Sequence, residues 1–233
     1  MSSENIKEKS ITHAKRIKKE FAKNFCTNCT SGDNPISIFM AGSPGAGKTE
    51  VSKRLLEYIS SKYGFVRIDP DEFRDEFKEY GYNGKNSHLF QAPISILADA
   101  IQDRTLKDGV SYIFDSTFSD TKRSRKNIER SLKRKRTVYI FYVYQDPLKA
   151  WDFVQSRERK EGRKITKEIF ISKYFKARET VNVLKGEFKN KIKLLVLIND
   201  RSGDSQFHVD ITSIDKYITE RYTKDQLLEY IKD

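Results

Sequence analysis

The sequence predicts an α/β fold, a five-stranded and mostly parallel doubly wound sheet with flanking helices, and three observations carry that reading. Short apolar runs alternate with amphipathic helical stretches along most of the chain. The first run ends in glycines and opens a helix through Gly42-Ser43-Pro44-Gly45-Ala46-Gly47-Lys48-Thr49. At 233 residues, with 15 Phe and 12 Tyr, the chain can fill a sizeable core in one large domain.

The elements follow in order. Ala14, Ile17, Phe21 and Phe25 fall at helical spacing with lysines opposite, so an amphipathic helix and its exit loop (residues 1–34) precede the main domain (residues 35–233). Residues 36–41 read as a buried strand, and Val51, Leu55 and Ile59 mark one face of a helix over 48–61. A second strand at 65–68 runs into Asp69-Pro70-Asp71-Glu72. Leu89, Ile96, Leu97 and Ile101 trace the next helix, with Pro93 near its start or at a kink. Strands at 110–114 and 138–143 flank a very basic helix around 119–133. Asp146-Pro147 caps and opens a helix that runs to Glu161. After Gly162, a helix over 166–188 carries Phe170, Tyr174, Ala177, Val181 and Leu184 as its apolar stripe. A fifth strand covers 193–198, and Thr223 with Gln226 forms a capping box for a C-terminal helix.

Charge and cysteine usage narrow the function. Lys plus Arg number 45 against 33 Asp plus Glu, and the net +12 favours polyanionic partners: nucleotides, phosphorylated metabolites, nucleic acid or anionic lipid. The opening MSSENIKEKS lacks the apolar core of a signal peptide. The apolar runs at 38–41 and 194–198 are too short to span a bilayer, so the expectation is a soluble cytoplasmic protein with no membrane partner. Cys26 and Cys29 make a single CxxC, and His13, His88 and His208 lack ligand spacing. A closed zinc site needs about four ligands, so these read as two reduced thiols.

Residues 42–49 complete a GxxxxGK[ST] pattern in its required setting, after a buried strand and before an amphipathic helix. Backbone N–H groups there can wrap a β-phosphate, and the helix N-terminus adds favourable partial charge. Lys48 at that terminus opposes the helix dipole unless an anion binds. Thr49 offers a hydroxyl for Mg²⁺. Asp115 ends a strand on the same side of the sheet, where a carboxylate either holds Mg²⁺ or its waters, or caps the next helix. In Asp69-Pro70-Asp71-Glu72, Asp69 fits a helix cap, Pro70 the first helical position and Glu72 a capping-box acid. Asp71 is left over, placed to accept a proton from a substrate hydroxyl. Arg74, one turn on, faces either a substrate phosphate or solvent.

Arg157, Arg159 and Arg163 cluster around the Glu161-Gly162-Arg163 corner, which suits a lid over residues 157–178 that brings cations to a transferred phosphoryl group. Lys173, Lys176 and Arg178 on the following helix are further lid candidates. Nine of the fifteen residues from 122 to 136 are Lys or Arg, with Glu129 the lone acid. This run is either a solvated helix face or a docking surface for nucleic acid or an acidic protein, and it lacks the aromatics of a base-stacking platform.

SPGAGKTE, IDPDEFR, IFDST and EGRKIT ahead of a long helix together resemble the zeta-toxin family of P-loop kinases, over roughly residues 36–200. The resemblance implies an adenylate-kinase-like fold and transfer of the ATP γ-phosphate to the 3′-hydroxyl of a UDP-N-acetylamino sugar, with Mg²⁺ and an antitoxin as protein partner. It would make Gly42 to Thr49 the nucleotide loop, with Lys48 and Thr49 as ligands, Asp71 the base and Arg163 a phosphate clamp. Arg74, Asp115 and Thr117 would meet the substrate. The family's arginine after that threonine is replaced here by Phe118 and Ser119. Kinase action on another metabolite or a nucleic-acid end is the enzymatic alternative. A nucleotide-binding regulator with no need of Asp71 is the other class, and the lack of an Asn-Lys-x-Asp sequence argues against a GTPase.

Overall fold

In the computed structural model, which describes residues 2–162, 164–199, 205–219 and 222–232, the glycine-rich loop leaves the centre of the sheet. Among the described residues the strand order is β2-β3-β1-β4-β5-β6. The strands are β1 (Ile36–Ala41), β2 (Val66–Ile68), β3 (Tyr112–Phe114), β4 (Thr137–Gln145), β5 (Lys193–Asn199) and β6 (Ser205–His208). The first five are parallel and β6 pairs antiparallel with β5. The expected sheet therefore has one more strand. Ser205–His208 offers no apolar run to read, and only pairing with β5 makes it a strand.

Side-chain alternation divides the core into two layers. Ile38, Met40, Ile113, Phe141 and Val143 point to one face and pack on Val51, Leu55, Leu56 and Ile59 of α2 (Lys48–Tyr63). Phe39, Ala41, Tyr112, Phe114 and Tyr142 point to the other face, in a core shared by α1 (Ser3–Phe25), α3 (Gln91–Lys107), α4 (Thr121–Lys133), α5 (Pro147–Glu161), α6 (Lys167–Phe188) and α7 (Lys224–Tyr230). The N-terminal helix is integral to that core. Ala14 is fully buried, Phe21 meets Phe73 edge-on with ring centres 5.3 Å apart, and His13 lies 4.7 Å from the ring of Tyr80. α1 thus braces the segment that carries Asp71 and Arg74.

That segment, Pro70–Tyr80, is a 3₁₀ helix capped by Asp69, whose Oδ1 accepts the Asp71 N–H at 2.9 Å. Cap and proline sit where the sequence places them, but Glu72 does not close a capping box. Its carboxylate turns inward to Arg67 at 2.6 Å, because a buried guanidinium is the stronger partner.

The basic run divides in the same way. Arg123 bonds Asp99, Arg130 bonds Asp103 and Arg125 bonds Glu187, so half-exposed arginines of α4 stitch it to α3 and α6. Arg136 belongs to no helix face. It is buried at the start of β4, donating to Ser37 Oγ at 2.7 Å and to the carbonyls of Ile36 and Val110 at 2.9 and 2.6 Å. Lys122, Lys126, Lys133, Arg134 and Lys135 are the exposed part of the run, and of these Arg134 is tied down, donating to the Leu106 carbonyl at 2.9 Å.

Candidate active site

Three neighbouring parallel strands end at one edge of the sheet, and the segment after each leads into a single cleft. Gly42 follows β1, Asp69 follows β2 and Asp115 follows β3; the Asp115 N–H donates to the Ile68 carbonyl at 2.9 Å, which fixes Asp69 beside Asp115. Ligand crevices of open α/β sheets form at such strand ends. The cleft has a volume of about 970 Å³, and its walls include Lys48, Thr49, Asp71, Asp115, Arg157 and Lys173.

The loop of residues 42–47 needs its glycines. Gly42, Gly45 and Gly47 have φ of 137°, 72° and 86°, a region L side chains rarely adopt. At Gly45 a Cβ would lie 2.1 Å from the carbonyl oxygen of Ala150, so α5 closes directly on the loop. The Gly42 N–H donates to the carbonyl of Thr117 at 3.3 Å, tying the loop to the segment after β3. Lys48 is buried at the first position of α2, and its Nζ donates to the Ser43 carbonyl at 2.6 Å. Burial lowers its pKa from 10.5 to about 8, partly offset by the Asp115 and Asp71 carboxylates. A buried cation at a helix N-terminus, with open N–H groups around it, fits a phosphate. Thr49 and Asp115 supply hard oxygen donors to the same cleft, which suits Mg²⁺ held partly by water and phosphate oxygens.

Asp71 stands across the cleft with both carboxylate oxygens engaged. Oδ1 accepts from Arg74 at 2.5 Å and Oδ2 from Arg157 at 3.4 Å. Arg74 is mostly buried and also donates to the Tyr82 hydroxyl at 3.1 Å. Burial would lower its pKa, but Asp71 and Tyr82 raise it, so it is a fixed cation. Thr117 lines the cleft, with Oγ1 and the Ser119 hydroxyl 2.9 Å apart. Phe118 is buried at positive φ against Phe39 and is not among the cleft walls.

The cation candidates separate by helical phase. Along α5, Arg157 and Lys160 face the cleft, while Arg159, about 200° around from Arg157, points to solvent. On α6 the cleft receives Lys173. Lys176 is exposed and outside the cleft walls, and Arg178 lies on another side of the helix, donating to Asp215 at 2.7 Å and the Ile218 carbonyl at 2.6 Å. Lys176 is thus solvated, and Arg178 ties down the C-terminal segment. Arg163 lies outside the described residues. Gly162 caps α5 in the left-handed region, as a corner there requires.

Sequence reasoning missed Arg67. It sits in β2 on the same face as Asp69, since residues two apart in a strand share a face, and that face packs on α2. Its Nε donates to Ser52 Oγ at 2.8 Å, Nη1 to Glu72, and Nη2 to both Asp69 Oδ2 and Asp115 Oδ2, the latter at 2.8 Å. Burial would lower the Arg67 pKa, but Asp69, Asp115 and Glu72 hold it above the ordinary arginine value. Burial and the neighbouring Asp115 and Asp71 push Asp69 up to about 6 against the pull of Arg67. The available signal was an arginine between two apolar strand residues, where a buried cation demands acids nearby.

Cys26 and Cys29 are free thiols at the end of α1, and burial, then Cys29, pushes Cys26 up to about 12, which suppresses thiolate chemistry. Among the described residues no cluster of three or more His, Cys, Asp or Glu has metal-binding geometry, and no helix is long and apolar enough to cross a membrane.

A parallel sheet with a phosphate loop after its central strand, acids on the flanking strand ends and cations from the following helices is the architecture of a P-loop kinase. The chain belongs to the zeta toxin family, whose sequence profile matches residues 21–211. The fold is shared with the PezAT chromosomal toxin–antitoxin system of Streptococcus pneumoniae, at a TM-score of 0.64 and 13% identity over 94% of this chain and 93% of that one. It is shared with the AvrRxo1-ORF1:-ORF2 complex with ATP, at 0.60 and 14% over 87% and 65%. The Pnkp1/Rnl/Hen1 RNA repair complex follows at 0.53 and 16% over 67% and 48%. No curated protein sequence matches the chain significantly.

Proposed function

We propose that the protein transfers the γ-phosphate of ATP to a hydroxyl of a nucleotide-linked sugar such as UDP-N-acetylglucosamine. The observation that carries this reading is Asp71 facing the phosphate loop across one cleft, between Arg74 and Arg157. A regulator that only binds nucleotide has no use for a carboxylate there. In this reading the N–H groups of residues 42–49 and Lys48 hold the phosphates, and Thr49 and Asp115 hold Mg²⁺, which supplies charge neutralisation on the phosphate oxygens.

Arg157 contacts Asp71 at 3.4 Å, a longer contact than that of Arg74, and comes from an exposed helix face. When it turns to the phosphoryl oxygens, joined by Lys173 and Arg163, Asp71 receives the acceptor hydroxyl. That hydroxyl's proton passes to Asp71, its oxygen bonds the γ-phosphorus, the bond to the β,γ-bridging oxygen breaks, and ADP leaves. Arg74, Asp115 and Thr117 orient the acceptor. An antitoxin protein partner is part of the proposal, supported by family membership and by the toxin–antitoxin system among the structures of like fold.

The test is incubation with labelled ATP and a panel of UDP-sugars, other phosphorylated metabolites and RNA or DNA ends. Label on a UDP-sugar is expected. Label on nucleic-acid ends, with steep salt dependence, would replace this acceptor.

A further inference from the structure

We infer that Arg67 is a positioning residue that sets the spacing between the nucleotide side and the acceptor side of the cleft. The inference rests on the reading of Asp71 as the group that meets the acceptor hydroxyl. Arg67 touches neither the phosphate loop nor Asp71 directly. Its four bonds reach the elements that carry them.

Ser52 belongs to α2, the helix that starts at Lys48, and its hydroxyl oxygen lies 2.8 Å from Asp115 Oδ2 and 3.0 Å from the Thr49 carbonyl, which share its single proton. By holding the Ser52 oxygen through Nε, Arg67 fixes the first turn of the nucleotide helix. By holding Asp115 Oδ2 together with Ser52, it fixes the rotation of a carboxylate in the cleft wall. Through Asp69 it holds the cap of the Asp71 N–H, and through Glu72 the first turn of the 3₁₀ helix. One planar fork therefore joins α2, the end of β3 and the helix of Asp71. A guanidinium can do this because it presents its N–H groups in fixed directions, whereas an ammonium is a point charge on a flexible stem. The arrangement is also electrostatically necessary: Asp69 and Asp115 lie side by side with little exposure, and Arg67 Nη2 stands between them.

The role is separable from plain stability. Removing Arg67 alone leaves buried acids uncompensated, so Arg67→Gln is expected to fold poorly. Two better variants are Arg67→Lys, which keeps the charge and loses the fork, and Arg67→Gln combined with Asp69→Asn, which removes one charge of each sign. Each is compared with the parent by thermal melting, by calorimetric titration with ADP, and by turnover of Mg-ATP with UDP-N-acetylglucosamine and with water.

At least one variant is expected to stay folded, to bind ADP within about threefold of the parent and to lose about 10- to 100-fold in kcat, the size expected when reacting groups shift by about 1 Å. Parent-like kcat in a folded variant would overturn the inference, as would ADP affinity falling as far as turnover. Failure of both variants to fold would make Arg67 a stability residue and would also overturn it. Asp71→Asn serves as the separate arm: full turnover in that variant, with slow Arg67 variants, removes the base assignment and leaves the link standing. If the sugar accepts no phosphate, the hydrolysis rates carry the Arg67 comparison.

Discussion

On the phosphate side of the cleft, eight consecutive residues, the six between β1 and α2 and the first two of α2, provide backbone N–H groups, three left-handed glycines and a buried lysine. On the acceptor side, single side chains arrive from the 3₁₀ helix, the end of β3, α5 and α6, and a strand arginine holds their supports in place. The first side is contiguous, so its geometry is set by local backbone conformation. The second is assembled by strand register and helix phase, so each of its parts tolerates substitution in a different way.

The largest expected effect falls on the assembled side. Asp71→Asn keeps the shape and loses the proton acceptor, so ATP binding persists while transfer drops by roughly 10²- to 10⁴-fold. Single-turnover transfer alongside ATP titration checks it. Equal loss in Asp69→Asn with an active Asp71→Asn would exchange cap and base.

On the contiguous side, Lys48→Met is expected to cut transfer by about 10²-fold or more, the loss expected for an electrostatic contact to the transferred group. The fold should not suffer. The native state releases the Lys48 proton near pH 8 and the unfolded chain near 10.5, so the unfolded state binds more protons between those values. This lysine therefore makes the protein more stable as pH rises through that window, and buried charge below it is a cost that methionine removes. For the parent, ATP affinity should fall about tenfold from about pH 7 to about pH 9 as Lys48 loses its charge, and Lys48→Met should show no such slope.

Gly45→Ala tests whether the loop is held by close packing or only by its φ. A Cβ would meet the Ala150 carbonyl at 2.1 Å, and such overpacking costs about 1–3 kcal/mol beyond the left-handed penalty, with weakened ATP binding. Gly81→Ala is the matched control, since φ there is 90° with nothing within 4 Å of the added carbon. It should cost about 1–2 kcal/mol and leave binding intact. Comparable melting shifts for the two would show that packing on α5 contributes little.

The smallest effect is expected far from both sides. Replacing Lys122, Lys126, Lys133 and Lys135 with Gln should change turnover on a UDP-sugar less than about twofold, because exposed single charges contribute little to a distant site. Arg136 is left in place, since its loss would strand Ser37 and two strand carbonyls in the core. A large loss of activity in the lysine variant would instead make the exposed part of the run a substrate surface.

The sequence by itself determined the order of strands and helices, the phosphate loop and its lysine, and the cap on Asp69 that leaves Asp71 over. All of these are read from neighbours within one or two turns. It also drew attention to the cations near Gly162, without deciding which of them face the cleft. Tertiary structure alone made a strand of Ser205–His208, turned Glu72 away from its cap, and put Arg157 and Lys173 rather than Arg159 and Arg178 in the cleft wall. It also showed that Arg136 belongs to the core and Arg67 to the site. The physical reason is common to these cases. An arginine's stem is long enough to serve solvent, a helix partner or a buried acid, and the choice among them depends on which carboxylates the register of distant strands brings within reach.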